Sequence, residues 1–150
     1  MSNFSIRIAW RRTTPNFDYK TFNRDHVWHL AGGQIVQGSA APEYYGDPEM
    51  SNYEEALLVA LSSCHMLTFL SIAALKRLVV ESYEDESLAE LGKNEKGRMM
   101  VSRLILRPKV TFGGDAAPDS HTVMELHRKA RENCFIGNSL LSTVVLEPRF

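Results

Sequence analysis

Cysteine is scarce in this chain: Cys64 and Cys134 are the two among 150 residues. Two such residues, 70 positions apart, are too few for the disulfide scaffold of a small secreted domain. An excess of either charge is also missing. Seventeen Lys and Arg face 18 Asp and Glu, for a formal net charge of -1, so bulk charge points neither to nucleic acid nor to an anionic membrane. There is no repeat and no low-complexity segment. The first residues, MSNFSIRIAWRR, alternate instead of forming an apolar run, which argues against a secretory signal. A reducing, cytoplasmic setting is the expectation. Charge is absent altogether from Ala56 to Leu75, but that stretch carries Ser62, Ser63, His65, Thr68 and Ser71. This polar load disfavours a single helix facing lipid and favours a helix buried within protein.

What is present reads as one domain, residues 1–150, with enough apolar residues (44%) for a core. Phe4, Ile6, Ile8 and Trp10 alternate with polar neighbours and predict a half-buried strand. Val27–Leu30, Ala31-Gly32-Gly33 and Gln34–Gln37 read as a hairpin with a glycine turn. Residues 38–50 read as loop. Ser51 or Asn52, with Glu54 or Glu55 three residues on, signals a helix start, and the helix should run to about Arg77. Val79–Leu91 is moderately β-like, Asn94 and Gly97 fit a turn, and Met100, Leu104, Leu106, Val110 and Phe112 share one face of a strand. Pro108 demands an edge or bulge there. Residues 113–118 read as loop. Asp119 or Ser120 caps a second helix with Val123, Leu126, Ala130 and Cys134 inward; Gly137-Asn138 breaks it, and Thr143–Leu146 is a last strand. The order β-β-β-α-β-β-α-β is α+β with mostly antiparallel sheet. The first helix is apolar around most of its circumference. One small sheet covers only one side of such a helix, so burial alone predicts a homodimer.

Cys64 lies in Ser62-Ser63-Cys64-His65 in the first helix, and Cys134 lies at the end of the second. Free cysteine is ordinarily a small buried hydrophobe. Metal binding is disfavoured, because adjacent Cys64 and His65 point about 100° apart on a helix; no cofactor is expected. A redox role asks for a cation beside the thiol to hold its thiolate, and a carboxylate to hold the cation. Arg24 and Glu54 are the candidates. Glu54 precedes Cys64 by ten residues, roughly 15 Å along a helix, so it could act only through a bridging arginine. His65 reads ordinarily as a core or interface histidine. Phe22, Trp28 and Tyr45 are candidates for a pocket wall, with core packing as their usual role.

The segment Asn52-Tyr53-Glu54-Glu55-Ala56-Leu57-Leu58-Val59-Ala60-Leu61-Ser62-Ser63-Cys64-His65-Met66 resembles the first cysteine motif of the OsmC/Ohr family, the osmotically inducible and organic hydroperoxide resistance proteins. Ala130-Arg131-Glu132-Asn133-Cys134-Phe135-Ile136-Gly137-Asn138-Ser139 is similar to its second motif. The resemblance covers essentially the whole chain. It implies an intertwined homodimer, with central cysteine helices wrapped by antiparallel sheets, and a thiol-dependent peroxidase acting on organic hydroperoxides. It also implies an external dithiol reductant, a peroxidatic Cys64, a resolving Cys134 that closes a Cys64–Cys134 disulfide, and Glu54 as the carboxylate that holds an arginine. Arg24 fits the family's arginine in the loop before the second strand, with Arg11 and Arg12 as fallbacks; residues 38–50 contain no arginine. Two competing readings are a non-catalytic dimeric stress or ligand-binding protein, and a redox sensor that forms the same disulfide.

Overall fold

A computed structural model describes residues 1–115 and 117–150; Ala116, in the loop expected over 113–118, lies outside the described residues. The chain forms two compact units, Met1–Ala56 and Leu57–Phe150.

The first unit is built on a three-stranded antiparallel sheet in the order β1 (Arg7–Ala9), β2 (His26–His29), β3 (Ile35–Gly38). The hairpin turn joining β2 to β3 falls where glycine allows it. Gly32 and Gly33 have φ of 72° and 79°, a region closed to most side chains, and Leu30 N–H donates to Gln34 O at 2.8 Å. Trp28 packs over Gly38, where a Cβ would come within 2.3 Å of its indole nitrogen. β1 is shorter than the alternation of Phe4–Trp10 suggests, because only Arg7, Ile8 and Ala9 find partners on β2.

Helix α1 (Tyr53–Leu75) opens with a reciprocal capping box. Glu55 N–H donates to the Asn52 side-chain oxygen at 2.8 Å, and Asn52 N–H donates to the Glu55 carboxylate at 3.3 Å. No Gly or Pro interrupts its 23 residues. The helix ends two residues short of Arg77, which takes φ of 60°. Leu78 N–H reaches back to Ala73 O and Arg77 N–H to Ala74 O, and Leu78 packs in the cluster containing Ala73. This is a Schellman stop with arginine where glycine is usual.

The second unit corrects the expected strand count. The β-like stretch after α1 is two strands, β4 (Val79–Asp85) and β5 (Leu88–Lys93). The stretch around Pro108 is also two, β6 (Met99–Leu106) and β7 (Pro108–Gly113). β4 pairs with β7 in one sheet; β5, β6 and β8 (Thr143–Leu146) form another, with β8 parallel to β6. The order is therefore β-β-β-α-β-β-β-β-α-β, still α+β and mostly antiparallel. Pro108 has no N–H to continue a ladder, and the chain changes sheets at Arg107. Asp85 holds this corner: one carboxylate oxygen accepts Arg107 N–H at 2.7 Å, and the other accepts the Ser62 hydroxyl of α1 at 2.5 Å. Helix α2 (Ser120–Asn133) is capped by Asp119, which accepts Thr122 N–H at 2.8 Å.

Two apolar clusters fill this unit. Leu61 packs with Leu104, Leu106 and Cys134, and Leu57 and Cys64 adjoin them. Farther along α1, Phe69 and Ala73 pack with Leu126 and Ala130 of α2 against β4 and β7. Leu61, His65, Phe69 and Ala73 thus form the buried face of α1. Val59, Leu67 and Leu75 lie on its open side, 66%, 57% and 86% exposed. The helix is long and apolar enough to cross a membrane, yet its inner face is committed to protein.

Candidate active site

The structure brings Cys64 and Cys134 together. Cys64 stands on the middle of α1, half-buried; Cys134 is fully buried and is the first residue after α2. Both are reduced. Partial burial opposes a charge on Cys64, but hydrogen bonds from the Cys134 thiol and from the backbone N–H groups of Ile136 and Phe135 outweigh it, so the Cys64 thiol lies below its usual range. Burial, and then the donation of its proton to Cys64, push the Cys134 thiol up to about 11. One thiol is thereby favoured as nucleophile while the other holds its proton, the asymmetry that ordered thiol chemistry requires.

The turn after α2 shapes this pair. Gly137 N–H donates to Cys134 Sγ at 3.4 Å, and Asn138 N–H donates to Cys134 O at 3.0 Å. A Cβ on Gly137 would meet Arg131 Nη1 at 3.0 Å and Cys134 Sγ at 3.5 Å. A side chain at Gly137 would ask the Arg131 guanidinium to give by a few tenths of an ångström, and the guanidinium and the sulfur both border the space a Cβ would take. Arg131 is half-buried, and among the described residues it has no ion-pair partner.

Arg24 and Glu54 belong to the other unit. The Arg24 guanidinium sits 3.6 Å from the Phe22 ring centroid and 5.2 and 5.7 Å from those of Tyr45 and Tyr19. It donates to Phe22 O at 2.7 Å and to Tyr19 O. Glu54 is in the first turn of α1, and its Oε2 is buried with no hydrogen-bond partner among the described residues. No ion pair joins Arg24 to Glu54 in the first unit. Arg12, one of the fallbacks, donates to the carbonyls of Thr14 and Pro15. Trp28 donates to His26 Nε2 at 2.7 Å and is a packing residue, whereas Phe22 lines a small pocket of about 230 Å³ with Trp10, Phe17 and Arg24.

Between α1 and α2 lies a group that sequence periodicity did not isolate. His65 of α1 and His127 of α2 are both fully buried. Burial lowers each to a pKa of about 4, so both are neutral near pH 7. The signal available was the polar residue following Leu126 on a helix face otherwise read as apolar. A larger pocket of about 430 Å³ opens between α1 and the end of β4, lined by Leu58, Ser62, Met66, Tyr83, Asp85 and Ser87 among others. Neither cysteine lines it. No cluster of three or more His, Cys, Asp or Glu suited to a metal ion occurs among the described residues.

Comparison with known proteins agrees with this architecture. An OsmC-like protein of unknown function from Vibrio cholerae O1 biovar eltor superposes with a TM-score of 0.95 at 41% identity, covering 99% of this chain and 100% of that one. The organic hydroperoxide resistance protein OhrB of Bacillus subtilis superposes with a TM-score of 0.70 at 16% identity, over 97% and 98% of the two chains, which is a likeness of fold. Among curated sequences, the uncharacterized protein YmaD of Bacillus subtilis (strain 168) is 28% identical over 127 residues, covering 83% of this chain and 84% of its own. The OsmC-like protein family model matches residues 46–149, a span that includes both cysteines and both helices, and the chain belongs to that family.

Proposed function

We propose that this protein is a thiol-dependent peroxidase that reduces organic hydroperoxides. The observation that carries the reading is the packing of Cys64 against the apolar cluster that holds Cys134, with the Cys64 thiol held below its usual range. The Cys64 thiolate attacks one oxygen of the hydroperoxide and the O–O bond breaks. The leaving alkoxide takes a proton and departs as an alcohol, and Cys64 becomes a sulfenic acid. The Cys134 sulfur then displaces the hydroxyl group, which leaves as water with the Cys134 proton, and a Cys64–Cys134 disulfide forms. An external dithiol returns both sulfurs to thiols by exchange.

In this reading Glu54 offers its unpartnered oxygen to a guanidinium that faces the peroxide, and Arg24 is the sequence's candidate for that guanidinium. The protein works as a homodimer in a reducing cytoplasm, where both cysteines start reduced. The open apolar side of α1 supports the second copy. Because the Arg24 nitrogens already donate to the Phe22 and Tyr19 carbonyls, a redox sensor that closes the same disulfide without turnover is the second reading.

Turnover separates them. With excess dithiothreitol and cumene hydroperoxide, the parent should consume many equivalents of peroxide, and Cys64→Ser should consume none. One equivalent followed by arrest would sink the peroxidase reading in favour of the sensor. Arg24→Ala should lose most of the rate; full retention would remove Arg24 from the site.

A further inference from the structure

We propose that Arg131 serves the second sulfur: its guanidinium, laid over Gly137, supplies the positive charge against which Cys134 carries negative charge as the disulfide closes and opens. The inference deepens the reading above, since it concerns how the Cys64–Cys134 pair completes a redox cycle.

Three observations converge on Arg131. The Nη1 atom and the Cys134 sulfur approach the same point beside Gly137, at 3.0 and 3.5 Å. Among the described residues the guanidinium has no carboxylate within ion-pair distance, whereas Arg128, one turn earlier on α2, is shared between Glu125 and Glu132. Its positive charge also acts inward, adding to the suppression of His65 protonation. The rest of the surroundings of Cys134 give a thiolate nothing comparable. Leu61, Leu104 and Leu106 enclose it, Cys64 is an ionisable neighbour of the same sign, and the backbone N–H groups of Gly137 and Ile136 are uncharged donors.

The chemistry needs a charge at this place. To close the disulfide, Cys134 must give up its proton while its sulfur forms the S–S bond. To reopen it, a reductant thiolate attacks Cys64 and the electron pair of the broken S–S bond stays on Cys134. Either way the buried sulfur is anionic in passing, and burial alone penalises that state. A nearby fixed cation favours it by about one pKa unit or more, about tenfold in thiolate population.

Diamide tests this without any peroxide. It adds to the Cys64 thiolate, and the Cys134 sulfur then displaces the reduced hydrazine, so two electrons leave the sulfurs and two protons end on nitrogen. We expect Arg131→Gln and Arg131→Met to close the disulfide about tenfold slower than the parent at pH 7. The gap should persist up to pH 10, because the Cys134 thiol, at about 11, stays mostly protonated throughout that range. Arg131→Lys should recover most of the rate. Circular dichroism identifies a variant that has lost its fold, and either charge-removing variant suffices alone. Parent-like closure rates in Arg131→Gln or Arg131→Met across pH 6–10 would overturn the proposal, as would a parent that diamide cannot close. If the parent closes with diamide but not with cumene hydroperoxide, the peroxidase reading falls while the diamide rates still decide Arg131.

Discussion

The imidazoles of His65 and His127, 62 positions apart, lie 7° from parallel with their centroids 5.4 Å apart, and His65 Nε2 is 3.1 Å from His127 Nδ1. One ring donates to the other, so at least one of the two must be neutral. Phe69 packs against His127 at a tilt of 32°, with centroids 4.4 Å apart. The outer nitrogens, His65 Nδ1 and His127 Nε2, are buried without hydrogen-bond partners among the described residues, as is the Tyr83 hydroxyl. Asp85 favours the charged form of both rings, and Arg131 opposes it at His65, but burial dominates.

This pair sets an acid limit on stability. Each folded-state pKa, about 4, lies below the unbound value of 6.5. The unfolded chain therefore takes up protons that the folded chain refuses, and stability falls as pH drops from about 6.5 to 4, levelling off below that. At about 1.4 kcal/mol per unit, the loss is on the order of 3 kcal/mol for each ring. Urea denaturation at steps through this window should show the decline, and His127→Leu should roughly halve it, leaving the share of His65. An unchanged slope in His127→Leu would mean that other groups titrate instead.

Arg77 offers the opposite, a simple gain. It is exposed and holds the left-handed position that closes α1, with φ of 60°. Glycine adopts that conformation without a Cβ penalty. Relief of a left-handed penalty of about 1–2 kcal/mol, less about 0.4–1 kcal/mol for the freer unfolded chain, should make Arg77→Gly more stable, read as a higher urea midpoint with peroxide consumption unaltered.

The open side of α1 predicts the assembly state. Leu67→Asp places a charge between Val59 and Leu75 on a face that solvent would otherwise wet. Light scattering behind a sizing column should find a dimer for the parent and a monomer for Leu67→Asp. A monomeric parent at micromolar concentration would remove the burial argument for a second copy.

Cys134→Ser should trap the intermediate. Without a resolving sulfur, the Cys64 sulfenic acid should accumulate with one equivalent of organic peroxide and pass to sulfinic acid with excess. Intact mass should rise by one oxygen, then by two, and dimedone should label the first product. Mass gain in Cys64→Ser under the same conditions would assign the attack to Cys134.

Sequence alone carried the long helix, its Asn52 start, the Asp119 cap and both cysteines, because each is specified by residues close together along the chain. The β segments around residues 79–113 were harder. Their breaks depend on Asp85 accepting Arg107 N–H from 22 positions away and on Pro108 entering a different sheet. Periodicity sees a continuous apolar face across Leu106 and Val110 and cannot see that the two halves have different partners. His127 escaped for a related reason: its position on the inner face was readable, but a polar side chain there makes sense only once His65 lies opposite. Arg131 was hidden beside Ala130, and its clue was a glycine three residues after a cysteine.

Cys134 is not part of the helix that delivers it. Its backbone, at φ of -74° and ψ of 113°, has already left the helical spiral, and the next regular contact is the short turn at Gly137–Ser139. Bonding its sulfur to another atom therefore pulls on a joint and not on a rod. A few torsions over residues 134–137 can absorb the shift while the hydrogen-bonded turns upstream stay wound, so a chemical change at the sulfur need not unravel the rod that presents it.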